Sequence, residues 1–286
     1  MQIETKSGES IFKKEDILGY GGHSIVYKAK RNDTCLKVYR EKLSNIYRNV
    51  IKDNYCDLNS VQNLRISKTF LTPIKLSTNQ QGNLQSIEFP YLPYPNIWTM
   101  RQEYFMTEKY LNIIMNMITT IKQLTNKGIV ITDLKLANML VNSDNQVIVI
   151  DNDFSIRSKN SELLNAVSEL SKNVYMNNYK DNFSKTLDEN YNKYMLVNMM
   201  ALLLIEKEEL ETIWPKNSSP SYTTLEAINR VIQTDRSISQ NFKKNIKNNL
   251  TASNNPDISQ SAIDDYQEVV LTKIKKKKRS NVYAKN

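Results

Sequence analysis

The chain has 286 residues, 40% of them hydrophobic and 24% charged, a balance that suits a folded protein with core enough for two lobes and excludes a disordered chain. Its two cysteines, Cys35 and Cys56, are too few for a disulfide framework, stand in no zinc-ligand spacing, and as free thiols fit a reducing compartment. The net charge of +9 is concentrated in Lys273, Lys275, Lys276, Lys277, Lys278 and Arg279; without these six it is +3, and with no zinc finger or RNP-type run the sequence holds no nucleic-acid-binding module.

Met1 to Phe12 is polar, with no apolar leader. From residue 16 to 40 the pattern is strand, turn, strand, strand: Asp16-Ile17-Leu18 runs into Gly19-Tyr20-Gly21-Gly22, followed by Ile25-Val26-Tyr27 and Cys35-Leu36-Lys37-Val38-Tyr39, with Arg31-Asn32-Asp33 as a polar hairpin. Ile46, Val50, Leu58, Val61 and Leu64 predict a helix within 41–66. Further strands are expected within 70–92, around the polar loop Asn79 to Asn83.

Pro93 and Pro95 mark a boundary, which makes 1–92 a β-rich N-terminal lobe and 93–250 a helical C-terminal lobe. Tyr110, Ile113, Ile114, Met117, Ile118, Ile121 and Leu124 predict an amphipathic helix over 103–126, with Gly128 as its cap. Ile129 to Ile131, Met139 to Val141 and Val147 to Ile150 read as short strands around polar loops. The remainder to about 250 has helical spacing, and Tyr194 to Ile205, twelve residues including Asn198, reads as a buried core helix too short to span a bilayer. Residues 251–262 are rich in Ser, Asn and Pro and read as a loop, so 251–286 is expected to be a polar and basic extension lying outside the folded body.

Three clusters carry chemistry. Leu18 to Tyr27 holds Gly19, Gly21 and Gly22, three of the six glycines of the chain; bare backbone of this kind lets N–H groups approach phosphate oxygens, though ordinary hairpins also carry glycines. Lys37 lies in an apolar strand, either as a fixed cation for phosphates or as a surface lysine. Asp133 and Asn138 are five apart in one loop, and Asp151 follows thirteen residues later. An acid for a hydroxyl proton, with an amide and a carboxylate for magnesium, is the set that phosphoryl transfer requires.

In this order the three clusters resemble the protein-kinase family. Leu18 to Val26 resembles the glycine-rich loop, with Ser24 in place of a third glycine. Cys35-Leu36-Lys37 resembles the strand of the phosphate lysine. Asp133-Leu134-Lys135-Leu136-Ala137-Asn138 is similar to the catalytic loop, and Ile150-Asp151-Asn152-Asp153 to the metal-aspartate motif. Asn192-Lys193-Tyr194-Met195-Leu196 is similar to the central helix of the C-terminal lobe. The resemblance spans roughly 16–206. It implies an α+β, two-lobed protein-kinase-like fold and a divergent serine/threonine kinase of bacterial or viral type, using ATP and magnesium or manganese on a protein substrate. By the same resemblance Asp133 would be the base, Lys135 would steady the transferring phosphate, Asn138 and Asp151 would hold the metal, and Lys37 would hold the ATP phosphates. Leu18, Val26 and Leu140 would enclose the adenine, whose edge would pair with the backbone of 89–92.

The sequence also departs from the family. No glutamate lies between Glu41 and Glu88 to pair with Lys37, and Asp57 is the expected substitute. Ile131-Thr132 replaces the His-Arg pair. Asn152 replaces the glycine after the metal aspartate, and Asp153 is read as a solvated turn residue in preference to a second acid near the metals. His23 is read as a solvated residue at the loop tip. No Ala-Pro-Glu motif is present. Two alternatives therefore stand beside a protein kinase: a small-molecule phosphotransferase of the aminoglycoside or choline type, and a pseudokinase acting as a binding module. The basic tail is expected either to be a solvated extension or to dock an acidic surface, and the expected location is cytoplasmic, with delivery into a host cell left open.

Overall fold

The computed structural model describes residues 2–5, 8–11, 14–29, 33–60, 69–170, 174–182, 184, 186–213, 222–251 and 257–283. It is an α+β chain, with a five-stranded antiparallel sheet in its N-terminal part and a mostly helical C-terminal part. A short hairpin, β1 (Gln2–Thr5) with β2 (Gly8–Ile11), comes first. The sheet is built from β3 (Ile17–Tyr20), β4 (Ser24–Lys28), β5 (Thr34–Tyr39), β6 (Lys75–Thr78) and β7 (Leu84–Pro90), in the order β3-β4-β5-β7-β6. Between β5 and β6 the chain forms α1 (Asn45–Ser60), which packs on β7. Of the expected elements, the Arg31-Asn32 turn and the helical points Val61 and Leu64 lie outside the described residues.

The sheet separates two apolar environments because strand side chains alternate. Leu36 and Val38 join Tyr27, Ile17 and Ile25 in a small cluster, while Tyr39 and Cys35 face the main core with Ile51, Tyr55, Ile87 and Phe89. The sheet ends at Pro90, and α2 (Ile97–Tyr104) starts after Asn96, whose side chain caps the Thr99 N–H at 2.8 Å. The helix expected over 103–126 is in fact two. Met106 has φ 55°, and Thr107 begins α3 (Glu108–Asn126) by accepting from the Tyr110 N–H at 3.2 Å. A threonine in mid-pattern is a cap when the preceding backbone leaves the helical region.

Two small antiparallel pairs follow: β8 (Ile129–Ile131) with β11 (Ser155–Arg157), and β9 (Met139–Val141) with β10 (Val147–Val149). The rest is helical: α4 (Ser161–Leu170), α5 (Val174–Asn182), α6 (Glu189–Leu204), α7 (Lys207–Ile213), α8 (Tyr222–Thr234), α9 (Gln240–Thr251) and α10 (Gln260–Tyr283). Helix α6 is the apolar run of the sequence and is buried on nearly every side. Helix ends leave carbonyls without partners inside the helix. Around the end of α6, Tyr110 Oη donates to Leu203 O at 2.7 Å, Tyr266 Oη to Met200 O at 3.1 Å, and Arg101 to Ile205 O. Among the described residues no helix is long and apolar enough to cross a membrane.

The C-terminal extension departs most from expectation. It is no appendage: α10 packs on α9 and α3, burying Ile263, Tyr266, Val269, Val270 and Ile274. Three of the six clustered cations fasten it to the body. Lys273 pairs with Asp235, Lys277 donates to Phe105 O at 2.7 Å, and Lys278 meets Glu108 at 2.8 Å. The composition that reads as a solvated tail hides an apolar stripe at positions 263, 266, 270 and 274, which is helical spacing. Residues 252–256 of the expected 251–262 loop lie outside the described residues.

Candidate functional site

Strand register sets the first side of the site. Gly19 pairs with Val26, Val26 with Lys37, and Lys37 with Ile87. Residues opposed across an antiparallel ladder share a face, so Gly19, Val26, Lys37 and Ile87 form one row. The turn from β3 to β4 closes with the Gly21 N–H donating to Ser24 O at 2.8 Å. A Cβ added at Gly19 or Gly22 would meet nothing within 4 Å, and at Gly21 the nearest atom would be 3.4 Å away. None of the three has a positive φ. The turn itself therefore does not demand glycine; the bare backbone keeps its N–H groups open to approach.

Lys37 is buried, and its ammonium is shared by two carboxylates, Asp151 and, at 2.7 Å, Asp153. Burial alone would lower the ammonium's pKa; the charges of Asp151 and Asp153 outweigh it and raise the group above the usual lysine value. Asp151 follows β10 with φ 59° and ψ 48°, a left-handed conformation that aspartate tolerates better than most residues. The turn is held by buried Asn152, whose amide donates to Leu71 O and Val149 O, both at 3.1 Å, and whose oxygen accepts from Ser155 Oγ at 3.2 Å. The Lys37 charge, opposed by burial, holds the Asp151 carboxyl below the usual aspartate value.

Asp153 is not a solvated turn residue. It is buried, accepts from Tyr39 Oη at 2.8 Å and Tyr55 Oη at 2.9 Å, and its backbone O accepts from Asn54 at 2.9 Å. The expected partner of Lys37, Asp57, lies on α1 with its side chain outside the described residues. Among its described side chains, α1 brings Asn54 and Tyr55 to the site. His23, at the tip of the glycine turn, is exposed, stacks on Tyr47 at 5.6 Å and adds a small part to the lowering of the Asp151 carboxyl.

The facing side is the loop after β8. Asn192 on α6 clasps it, accepting from the Ile131 N–H at 2.8 Å and donating to Ile129 O at 2.6 Å. Thr132, in the place expected for an arginine, donates its hydroxyl to Phe154 O at 2.7 Å. Asp133 accepts from Lys135 at 2.7 Å and from the Asn138 amide at 3.0 Å. Burial raises the Asp133 carboxyl, Lys135 opposes this, and the neighbouring Asp151 charge adds to the rise. The Ile150 N–H donates to Asn138 O at 2.9 Å, which ties this loop to the Asp151 turn.

Magnesium favours oxygen ligands and is commonly bound through one or two protein groups plus substrate phosphates. Among the described residues no cluster of three or more His, Cys, Asp and Glu forms a self-sufficient metal cage. Asp151 supplies a partly exposed carboxylate, and Asn138, whose NH2 group serves Asp133, has its amide oxygen as the remaining ligand atom. That donor set fits a cation brought in with phosphate.

Leu18 is exposed, and Val26 and Leu140 are half-buried, so all three keep apolar surface open to solvent. In the 89–92 segment the Tyr91 N–H is already committed to Asp33 O at 2.7 Å. Sequence reasoning missed Tyr39, Tyr55, Asn54 and Asn192. Tyr39 carried a signal, since it is two positions from Lys37 on one strand and shares its face. The others join the site only through tertiary contact. No protein-family model matches the chain, and no curated protein matches it.

Proposed function

We propose that the chain binds ATP and catalyses magnesium-dependent transfer of the terminal phosphoryl group to a serine or threonine hydroxyl of a protein. One observation carries this: Lys37 and Asp151 are 114 residues apart yet paired, beside the Asp133–Lys135–Asn138 cluster. An N-terminal sheet and a helical C-terminal part are compatible with the two-lobed kinase-like fold that the sequence motifs suggest.

In this proposal the backbone of Gly19 to Gly22 and the Lys37 ammonium bind the phosphates. Asn138 and Asp151 would hold magnesium, which when bound would neutralise charge on the phosphate oxygens. Asp133 orients the acceptor hydroxyl and takes its proton as the oxygen–phosphorus bond forms and the bond to the ADP oxygen breaks. Lys135, exposed beside Asp133, steadies the moving negative charge.

A small-molecule phosphotransferase is the second reading. It is favoured by Ile150-Asp151-Asn152-Asp153, which resembles the Ile-Asp-x-Asp pattern of those enzymes, and by the missing Ala-Pro-Glu motif. It is opposed by Lys135, which two residues after Asp133 resembles the serine/threonine-kinase pattern. The test is incubation of purified protein with terminally labelled ATP and magnesium, in parallel with cell extract, an aminoglycoside and choline. Label on serine or threonine of a protein is expected. Label on a small molecule alone replaces the first reading by the second, and ATP binding without transfer to any acceptor leaves a binding module.

A further inference from the structure

The buried Asp153 carboxylate takes no part in the transfer step above, yet it is gripped from three directions. Lys37 lies 2.7 Å from it, Tyr39 Oη 2.8 Å and Tyr55 Oη 2.9 Å. A charge removed from water is tolerated only with such partners. Both tyrosines are held in the donor form, because burial and then the Asp153 charge push their hydroxyl pKa values well above the usual range.

The two acids on Lys37 differ in one respect that matters. The Asp153 side chain is 8% exposed and that of Asp151 is 38% exposed. One ammonium between two carboxylates leaves one net negative charge, and the solvent-facing member is Asp151. The buried acid is also the one tied to α1, through Tyr55 and through Asn54, which donates to the carbonyls of Asn152 and Asp153.

We propose that Asp153 is the positioning carboxylate for Lys37, oriented by Tyr39 and Tyr55, and that by holding the lysine it leaves Asp151 able to exchange Lys37 for a phosphate-bound cation. The catalytic consequence rests on the phosphoryl-transfer reading; the hold on Lys37 does not. In this arrangement α1 steers the lysine through Tyr55, and a shift of α1 is passed to Lys37 through the Tyr55–Asp153 hydrogen bond.

The first measurement needs no enzymatic activity. Lys37 is acylated by limiting acetic anhydride at pH 8 and followed by mass spectrometry in the full-length protein. Asp153→Asn removes the buried one of the two carboxylates that hold the ammonium, so the freed amine is expected to be acylated about tenfold faster. Tyr55→Phe and Tyr39→Phe each remove one donor that orients the Asp153 carboxylate and are expected to change the Lys37 rate about twofold or more. They carry the test if Asp153→Asn fails to fold. The second measurement is a cycle with Lys37→Met, scored by transfer from labelled ATP. Asp153→Asn is expected to lower kcat/KM about tenfold or more beside Lys37, and to add less than about twofold beside Met at 37, because coupled residues are not additive. An unchanged Lys37 rate in folded Asp153→Asn, or equal losses in both backgrounds, overturns the proposal. A raised Lys37 rate in a protein whose wild type transfers no phosphate supports the hold by Asp153 and sinks phosphoryl transfer.

Discussion

At the scale of single residues, the proposed roles separate by what each side chain can touch. Asp133 contacts Lys135 and Asn138, whereas Lys37 and Asp151 contact each other across the site. Asp133→Asn is nearly isosteric and leaves Lys37 and Asp151 in place. It is expected to lower phosphoryl transfer by about a hundredfold or more with little change in ATP affinity; equal transfer by variant and wild type, measured with labelled ATP, removes Asp133 from the mechanism. The raised Asp133 carboxyl adds a pH signature. The base must be ionised, so the acid limb of the kcat profile is expected above the ordinary aspartate value of 3.8, and Asp133→Asn is expected to abolish that limb. The types and spacing of Lys37, Asp133, Asn138 and Asp151 were legible in the sequence because each sits in a short, ordered motif. Asp153 was not: an acid two positions after another acid reads the same whether it meets solvent or a lysine. Its deciding partners, Tyr39 and Tyr55, are 114 and 98 residues away.

At the scale of elements, two segments behave differently from what their composition suggests. Thr132 bonds Phe154 O with a neutral hydroxyl, so the segment after the Asp151 turn is fastened without any phosphate to read. Protein treated with phosphatase is expected to keep its activity on an added substrate; a large drop reversed by preincubation with ATP would show that a phosphorylated residue is required after all. Helix α10 is the second case. Tyr266 is fully buried, donates to Met200 O at 3.1 Å and lies 5.1 Å from the Phe242 ring. Tyr266→Ala is expected to cost about 3–5 kcal/mol in denaturant unfolding, and deletion after Asp265 to prevent stable folding. Replacing exposed Lys275, Lys276 and Arg279 by glutamine is expected to leave the melting temperature unchanged. Periodicity made α3 and α6 legible because their apolar residues recur over several turns. In α10 the same stripe is masked by the lysines that surround it, and the split between α2 and α3 hangs on the backbone of Met106, which no spacing reports.

At the scale of the molecule, the sheet side and the helical side are joined through the Asp151 turn. Leu71 N–H donates to Val149 O at 2.9 Å and Val149 N–H to Thr69 O at 2.8 Å. Asn54 reaches the carbonyls of Asn152 and Asp153, and Lys37 closes the set with two carboxylates. Stability should then carry the titration of this pair. Lys37 is raised in the folded state, so its contribution is fully present below the unfolded value near 10.5 and is lost as pH rises through the folded value. Asp151 is lowered, so its contribution is present above 3.8 and is lost as pH falls through the folded value. Lys37→Met leaves two acids without their cation. The expected cost at neutral pH is about 3 kcal/mol, at the low end for a broken buried pair because Asp151 is 38% exposed and water screens it. That cost is expected to shrink on both sides. At low pH the abandoned carboxylates take up protons, which removes the variant's penalty. Above pH 10.5 the wild type loses a contribution that the variant never had, because its unfolded lysine gives up a proton that the folded one keeps. Denaturant unfolding of both proteins across this range should therefore give a difference that is largest on a plateau around neutrality. A difference independent of pH would mean that the variant suffers from lost packing around the lysine stem, and that the charge of Lys37 does not join the two halves of the chain.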